Sequence, residues 1–210
     1  MSVDSYHHFR KPAPEGAPLL FLFHGTGGDE TQFVTLGARL MPEAGIVSPR
    51  GDVSEFGANR FFRRAAEGVY DMADLARATA KMAAFVRAHV EAAKPGAVLG
   101  LGYSNGANIL ASLIFAEPEL FDRAILMHPL IPFEPKMEGP IRTRLLLTAG
   151  RNDPICPAHM TEKLIRELNQ AGAHAELVWH DGGHELRHEE VVAATRFIRE
   201  DGANPAQEAS

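Results

Sequence analysis

The chain has 210 residues, 45% hydrophobic and 23% charged, with a formal net charge of −6. This fits a single globular domain with a sizeable core. The negative balance excludes nucleic acid as the main partner, because "RFFRR" at Arg60 to Arg64 is too short to track a phosphate backbone. No run approaches the roughly 20 apolar residues of a membrane span, so no membrane insertion is expected. "MSVDSYHHFRKPAPEG" lacks the apolar core of a signal peptide. A single cysteine, Cys156, excludes an intrachain disulfide and fits a reducing, cytoplasmic compartment.

In chain order, Leu19 to Phe23 reads as a buried strand ending at "HGTGG". A helix is expected over Thr31 to Met41, then a short strand at Ile46 to Ser48 before "PRGD". From Asp71 to about Ala92, the positions Met72, Leu75, Thr79, Met82, Val86 and Val90 recur at helical spacing. Arg77, Lys81, Arg87 and Glu91 face the other way. Lys94-Pro95-Gly96 ends that helix. A strand at Ala97 to Leu101, a helix at Asn105 to Ala116 and a strand at Ala124 to Met127 follow. A Pro-rich connection occupies His128 to Pro140. The strand Leu145 to Thr148, a helix around Thr161 to Gln170, the strand Glu176 to Trp179 and a helix near Glu189 to Glu200 complete the pattern.

Strands alternating with helices imply a mostly parallel sheet covered on both faces. Residues 1–200 read as one such domain, and 201–210 as a frayed tail. In open sheets of this kind the ligand crevice lies beyond the carboxyl ends of the strands. The informative loops are therefore "HGTGGDE", "PRGDVSE", "GYSNGA", "HPLIPF", "GRNDPICP" and "HDGGHEL".

Gly102-Tyr103-Ser104-Asn105-Gly106 matches G-x-S-x-G, placed between a strand and a helix as that motif requires. A serine held in such a turn is a candidate nucleophile, with glycines where flanking bulk would collide with backbone. The following helix N-terminus favours negative charge beside it. Serine needs an imidazole to remove its proton. Of ten histidines, His184 in "DGGHEL" lies after a strand on a glycine-rich loop and is the candidate base. His180 and His188 flank it at four residues, but Gly182-Gly183 breaks any helix that would align the three for a metal, so no metal is expected. Asp153, after the strand at Leu145 to Thr148, is the acid preferred over Asp181, because a loop from another strand can reach the far imidazole nitrogen. The order Ser104, Asp153, His184 is that of α/β-hydrolases. Backbone N–H groups of Asn105 and Thr26 are the candidate oxyanion hole, and His24 is read as a brace for the Thr26 loop. No insertion is long enough for a large lid. Leu130, Ile131 and Phe133 are candidate pocket residues, with ordinary packing as the other reading. Arg60, Arg63 and Arg64 read first as surface charge. The sharper reading is that one, Arg60 for preference, meets a substrate carboxylate or phenol. Cys156 reads as a small buried neighbour of Asp153.

Taken together, "FLFHGTGGDE", "PRGDVSEFGANRFFRR", "GLGYSNGANI", "LMHPLIPF", "TAGRNDPICP" and "WHDGGHEL" resemble the phospholipase/carboxylesterase family of α/β-hydrolases, nearest to small bacterial carboxylesterases. The likeness runs from about Tyr6 to Phe197. It implies a serine esterase with Ser104, Asp153 and His184 as its triad and Thr26 and Asn105 at the oxyanion hole, and it allows a homodimer. The missing lid favours small to medium carboxylic esters. Thioesters or lactones could use the same oxyanion chemistry, and no cofactor is required. Asn105 stands where the acyl-protein thioesterase branch carries glutamine, and Ser104 where dienelactone hydrolases carry cysteine, so neither specialised activity carries over. A catalytically silent binding protein and a related acyltransferase or peptidase are the competing readings.

Overall fold

The structure is a computed structural model, and it describes residues 2–199. The tail expected to fray lies outside the described residues. Strands and helices follow in the order β1 (His8–Lys11), β2 (Leu19–Phe23), α1 (Val34–Leu40), β3 (Gly45–Pro49), β4 (Val53–Glu55) and β5 (Ala58–Arg60). Next come β6 (Arg64–Ala66), β7 (Val69–Tyr70), α2 (Met72–Ala93), β8 (Val98–Tyr103), α3 (Asn105–Ala116) and β9 (Arg123–Met127). The chain continues through β10 (Arg144–Gly150), α4 (Ala158–Gln170), β11 (His174–His180) and α5 (His188–Arg199).

Seven strands form one sheet in the order β1-β3-β2-β8-β9-β10-β11, parallel throughout except for β1, which pairs antiparallel with β3. Alternation along each strand divides the core between the two faces. From β2, Phe21 and Phe23 pack with α2, α3 and α4, while Leu20 and Leu22 pack with α1 and α5. α3 is buried around nearly its whole circumference, which explains why its sequence is apolar without a polar stripe. α2 is capped by Asp71, whose side chain accepts from the Asp74 N–H, and it ends in left-handed Lys94.

Several elements depart from the sequence expectation. Thr31 to Phe33 form turns, stabilised where Asp29 accepts from the Thr31 N–H and hydroxyl, so α1 is shorter than expected. Met72 lies on the solvent side of α2, while Asp74 is buried because it accepts from the Arg63 N–H and from Arg77. Two short hairpins, β4–β5 and β6–β7, occupy a stretch that carries no alternating apolar pattern. Among the described residues no helix is long and apolar enough to cross a membrane.

Candidate active site

Ser104 joins β8 to α3 with φ of 52° and ψ of −116°, a conformation L-residues avoid unless their surroundings enforce it. The enforcement is visible in the flanking glycines. A Cβ on Gly102 would overlap the Gly106 carbonyl, and one on Gly106 would overlap the carbonyls of Phe23 and His24. The turn therefore packs backbone on backbone, and this lifts the Ser104 hydroxyl above the sheet edge. His184 arrives from the loop after β11 with Nε2 2.8 Å from Ser104 Oγ and Nδ1 2.7 Å from Asp153 Oδ2. Asp153 comes from the loop after β10. Its other oxygen accepts from the N–H groups of Ile155 and Cys156 at 2.8 and 2.9 Å. Burial opposes its charge, yet the bonds from His128, His184 and the Cys156 N–H hold its carboxyl far below the usual range. Asp181 instead lies at the surface beside Arg151.

Asn105 is the first residue of α3, where a backbone N–H has no intrahelical acceptor. Its side chain is committed elsewhere, Oδ1 accepting from the Phe61 N–H at 2.8 Å. Thr26 lies across the same crevice on a loop that the β4–β5 hairpin grips. The Gly27 N–H donates to Asn59 O, Asn59 Nδ2 donates to Gly28 O, and Arg60 donates to Thr26 Oγ1 at 2.7 Å. His24 accepts from the Gly51 N–H at 2.9 Å, and burial lowers its proton affinity, so this ring braces the loop in its neutral form.

A cavity of about 280 Å³ opens over Ser104, lined among others by Thr26, Arg60, Asn108, Leu130 and Cys156. The arginine and pocket expectations need correction here. Arg60 is 3% exposed and is not a surface charge, since it bonds to Thr26 and the Phe62 carbonyl and lies 3.6 Å from Glu55. Arg63 points away, toward Asp71 and Asp74. Leu130 lines the cavity, but Ile131 and Phe133 do not. The reason is Asn108, which accepts from the Leu130 N–H and donates to the Tyr70 hydroxyl, itself bonded to Leu130 O. That clamp turns the chain after Leu130 down into the core, where Ile131 is buried with Phe133 packed beside it.

Asn108, Tyr70, Tyr103 and His128 are among the residues near the site that escaped the sequence reading. Asn108 and Tyr70 carry no motif. Tyr103 occupies the variable position of the elbow and donates to His184 O at 2.7 Å. His128 stands at the end of β9, and its Nδ1 lies 2.8 Å from Asp153 Oδ2, the oxygen His184 also uses. Its position at a strand's carboxyl end was the available signal. The histidine trio weighed for metal is not assembled, because His188 is exposed on α5. The side chains that do converge are His128, Asp153 and His184, and His128, His180 and Glu190. His128 and His184 are already hydrogen-bonded to Asp153, and His128 and His180 lie 3.1 and 3.3 Å from the Glu190 oxygens.

A mostly parallel sheet with a strained serine at the end of β8, and a histidine and carboxylate at later strand ends, defines an α/β-hydrolase. Residues 61–190 match the family model described as serine hydrolase (FSH1), and the chain belongs to this family of serine hydrolases. It is 39% identical over 188 residues to the putative hydrolase MhqD of Bacillus subtilis (strain 168), covering 87% of this chain and 92% of that one. Among solved structures it is similar to the protein Atu2452 of unknown function from Agrobacterium tumefaciens str. C58, with 57% identity and a TM-score of 0.91 over 96% of this chain and all of that one. The Bacillus cereus carboxylesterase shares 35% identity with a TM-score of 0.87, over 92% of this chain and 93% of that one.

Proposed function

We propose that this serine hydrolase is a carboxylesterase that cleaves small to medium carboxylic esters through an acyl-enzyme on Ser104. The observation that carries the reading is the unbroken chain of hydrogen bonds from Ser104 Oγ through His184 to Asp153. His184 Nε2 takes the serine proton as Oγ attacks the ester carbonyl, and returns it to the leaving alcohol. Asp153 holds Nδ1–H and stabilises the imidazolium that forms. The N–H groups of Asn105 and Thr26 receive the negative oxygen. Water activated by the same histidine then releases the acid. No step calls on a cofactor.

The cavity supports a substrate of modest size. At about 280 Å³ it lies just below the usual range of small-molecule pockets, which favours short acyl groups. Thioesters and lactones pass through the same tetrahedral oxyanion and are further candidate substrates. The single cysteine supports a cytoplasmic site of action.

A fluorophosphonate label and a panel of p-nitrophenyl esters of rising acyl length test the proposal. Labelling and turnover of short esters are expected, and both should vanish in Ser104→Ala. Labelling that survives this substitution would refute the assignment. A wild-type protein that binds esters without turnover would favour the silent binding protein instead.

A further inference from the structure

We propose that His128 is a positioning residue of this site, a buried imidazolium held between Asp153 and Glu190 that orients Asp153 and offsets its charge toward His184. The inference rests on the Ser104–His184–Asp153 reading and goes beyond it.

Two carboxylates flank the His128 ring. His128 Nδ1 lies 2.8 Å from Asp153 Oδ2, and Nε2 lies 3.1 Å from Glu190 Oε1. All three side chains are fully buried. With a buried carboxylate oxygen 2.8 Å from one ring nitrogen and 3.1 Å from the other, the doubly protonated cation is the form that both carboxylates favour. His180 is the other tautomer case. Its Nδ1 accepts from the Gly182 N–H at 3.0 Å, so its proton is on Nε2 and faces Glu190 Oε2 at 3.3 Å. The two Nε2 atoms are 3.4 Å apart, and each faces a separate Glu190 oxygen, at 3.1 Å from His128 and 3.3 Å from His180. Thr148 Oγ1 and the Arg187 N–H complete the shell around Glu190. Burial works against charge on His128, but its bonds to Asp153 and Glu190 outweigh that and raise its pKa to about 9.

The backbone is built around this ring. His128 shares with Ser104 a φ of 52°, a strain that persists only where the surroundings over-determine it. Its N–H donates to Thr148 O and its carbonyl accepts from Cys156 Sγ. The groups facing it are Asp153, His184, His180, Glu190, Cys156 and Tyr103, the last in a T-shaped ring contact.

The consequence is electrostatic. At rest, Asp153, Glu190 and cationic His128 sum to one buried negative charge. When His184 takes the serine proton, the cluster becomes neutral. Without the His128 charge, two buried carboxylates would over-stabilise protonated His184, which cannot act as base. His128 thus keeps the base available at lower pH, and its own proton does not leave it during turnover.

The test is the pH profile of kcat/KM for a short p-nitrophenyl ester. In His128→Gln the acid limb should move upward by about one pH unit. Thr148→Val loosens Glu190 without changing charge and should leave the limb in place. A folded His128→Gln with an unmoved limb would overturn the proposal. Nitrogen-15 NMR of the wild-type protein gives a readout that does not depend on the variant folding. His128 should show two protonated ring nitrogens at pH 7.5, and a neutral ring there would overturn it. Stoichiometric divalent metal in the purified protein, lost in His128→Gln, would also overturn it, because a ligating nitrogen cannot keep its proton. Activity surviving in Ser104→Ala would instead sink the underlying triad reading.

Discussion

At Asp153 four hydrogen-bond donors converge on two carboxylate oxygens, and the roles of both neighbouring histidines depend on that acceptor set. Asp153→Asn preserves the shape but replaces the oxygen shared by both imidazoles with an amide donor and favours the wrong tautomer of His184. A drop in kcat of about 10⁴-fold is expected from steady-state kinetics on p-nitrophenyl acetate, with KM little changed. Arg60 poses a different question, because it lines the cavity yet bonds to Thr26. Acting through Thr26, it should affect every substrate equally. Arg60→Met is therefore expected to lower kcat on acidic and neutral esters alike, and a loss confined to acidic esters would show that the guanidinium meets the substrate directly.

Among the elements, the β4–β5 hairpin holds the Thr26 loop against the mouth of the site through Asn59 and Arg60. Asn59→Ala removes the side-chain bond to Gly28 O and leaves the backbone bond to Gly27. The expected result is a loss in kcat of about tenfold with nearly constant KM, as for a donor needed mainly in the transition state. The elbow between β8 and α3 is less forgiving. Gly106→Ala places a methyl into the carbonyls of Phe23 and His24, which cannot yield without distorting β2. A thermal melt should show destabilisation of about 3 kcal/mol.

Across the whole molecule, buried histidines of opposite tendency shape stability against pH. His89 is depressed to about 4 by burial and by neighbouring His8. Its contribution is present above the ordinary value of 6.5 and is lost as pH falls toward 4. His128 is raised to about 9, so its contribution is complete below 6.5 and is lost as pH rises through 9. Glu30, drawn down to about 2 by its bond to Arg50, adds stability above 4.5 that disappears under stronger acid. Calorimetry from pH 4 to 10 should therefore find the highest Tm near 6.5. The alkaline slope, at most about 1.4 kcal/mol per pH unit from His128, should flatten in His128→Gln.

The sequence alone determined the layered architecture and the family. Phe21 and Phe23 against Leu20 and Leu22, and the strand-to-helix alternation, are local patterns that water imposes on any chain burying both faces of a sheet. Ser104, Asp153 and His184 were legible because each follows a strand, and strand ends are where such a sheet collects its loops. Tertiary structure decided the rest. It made Arg60 a buried strut, turned Ile131 and Phe133 away from the cavity, and brought His128 and Glu190 together across 62 positions of chain. None of these follows from spacing, because each depends on a partner from a distant element. In α5, Glu190 sits in register with the apolar residues Ala193, Ala194 and Phe197. Only the arrival of His128, His180 and Thr148 shows why a carboxylate can be buried there.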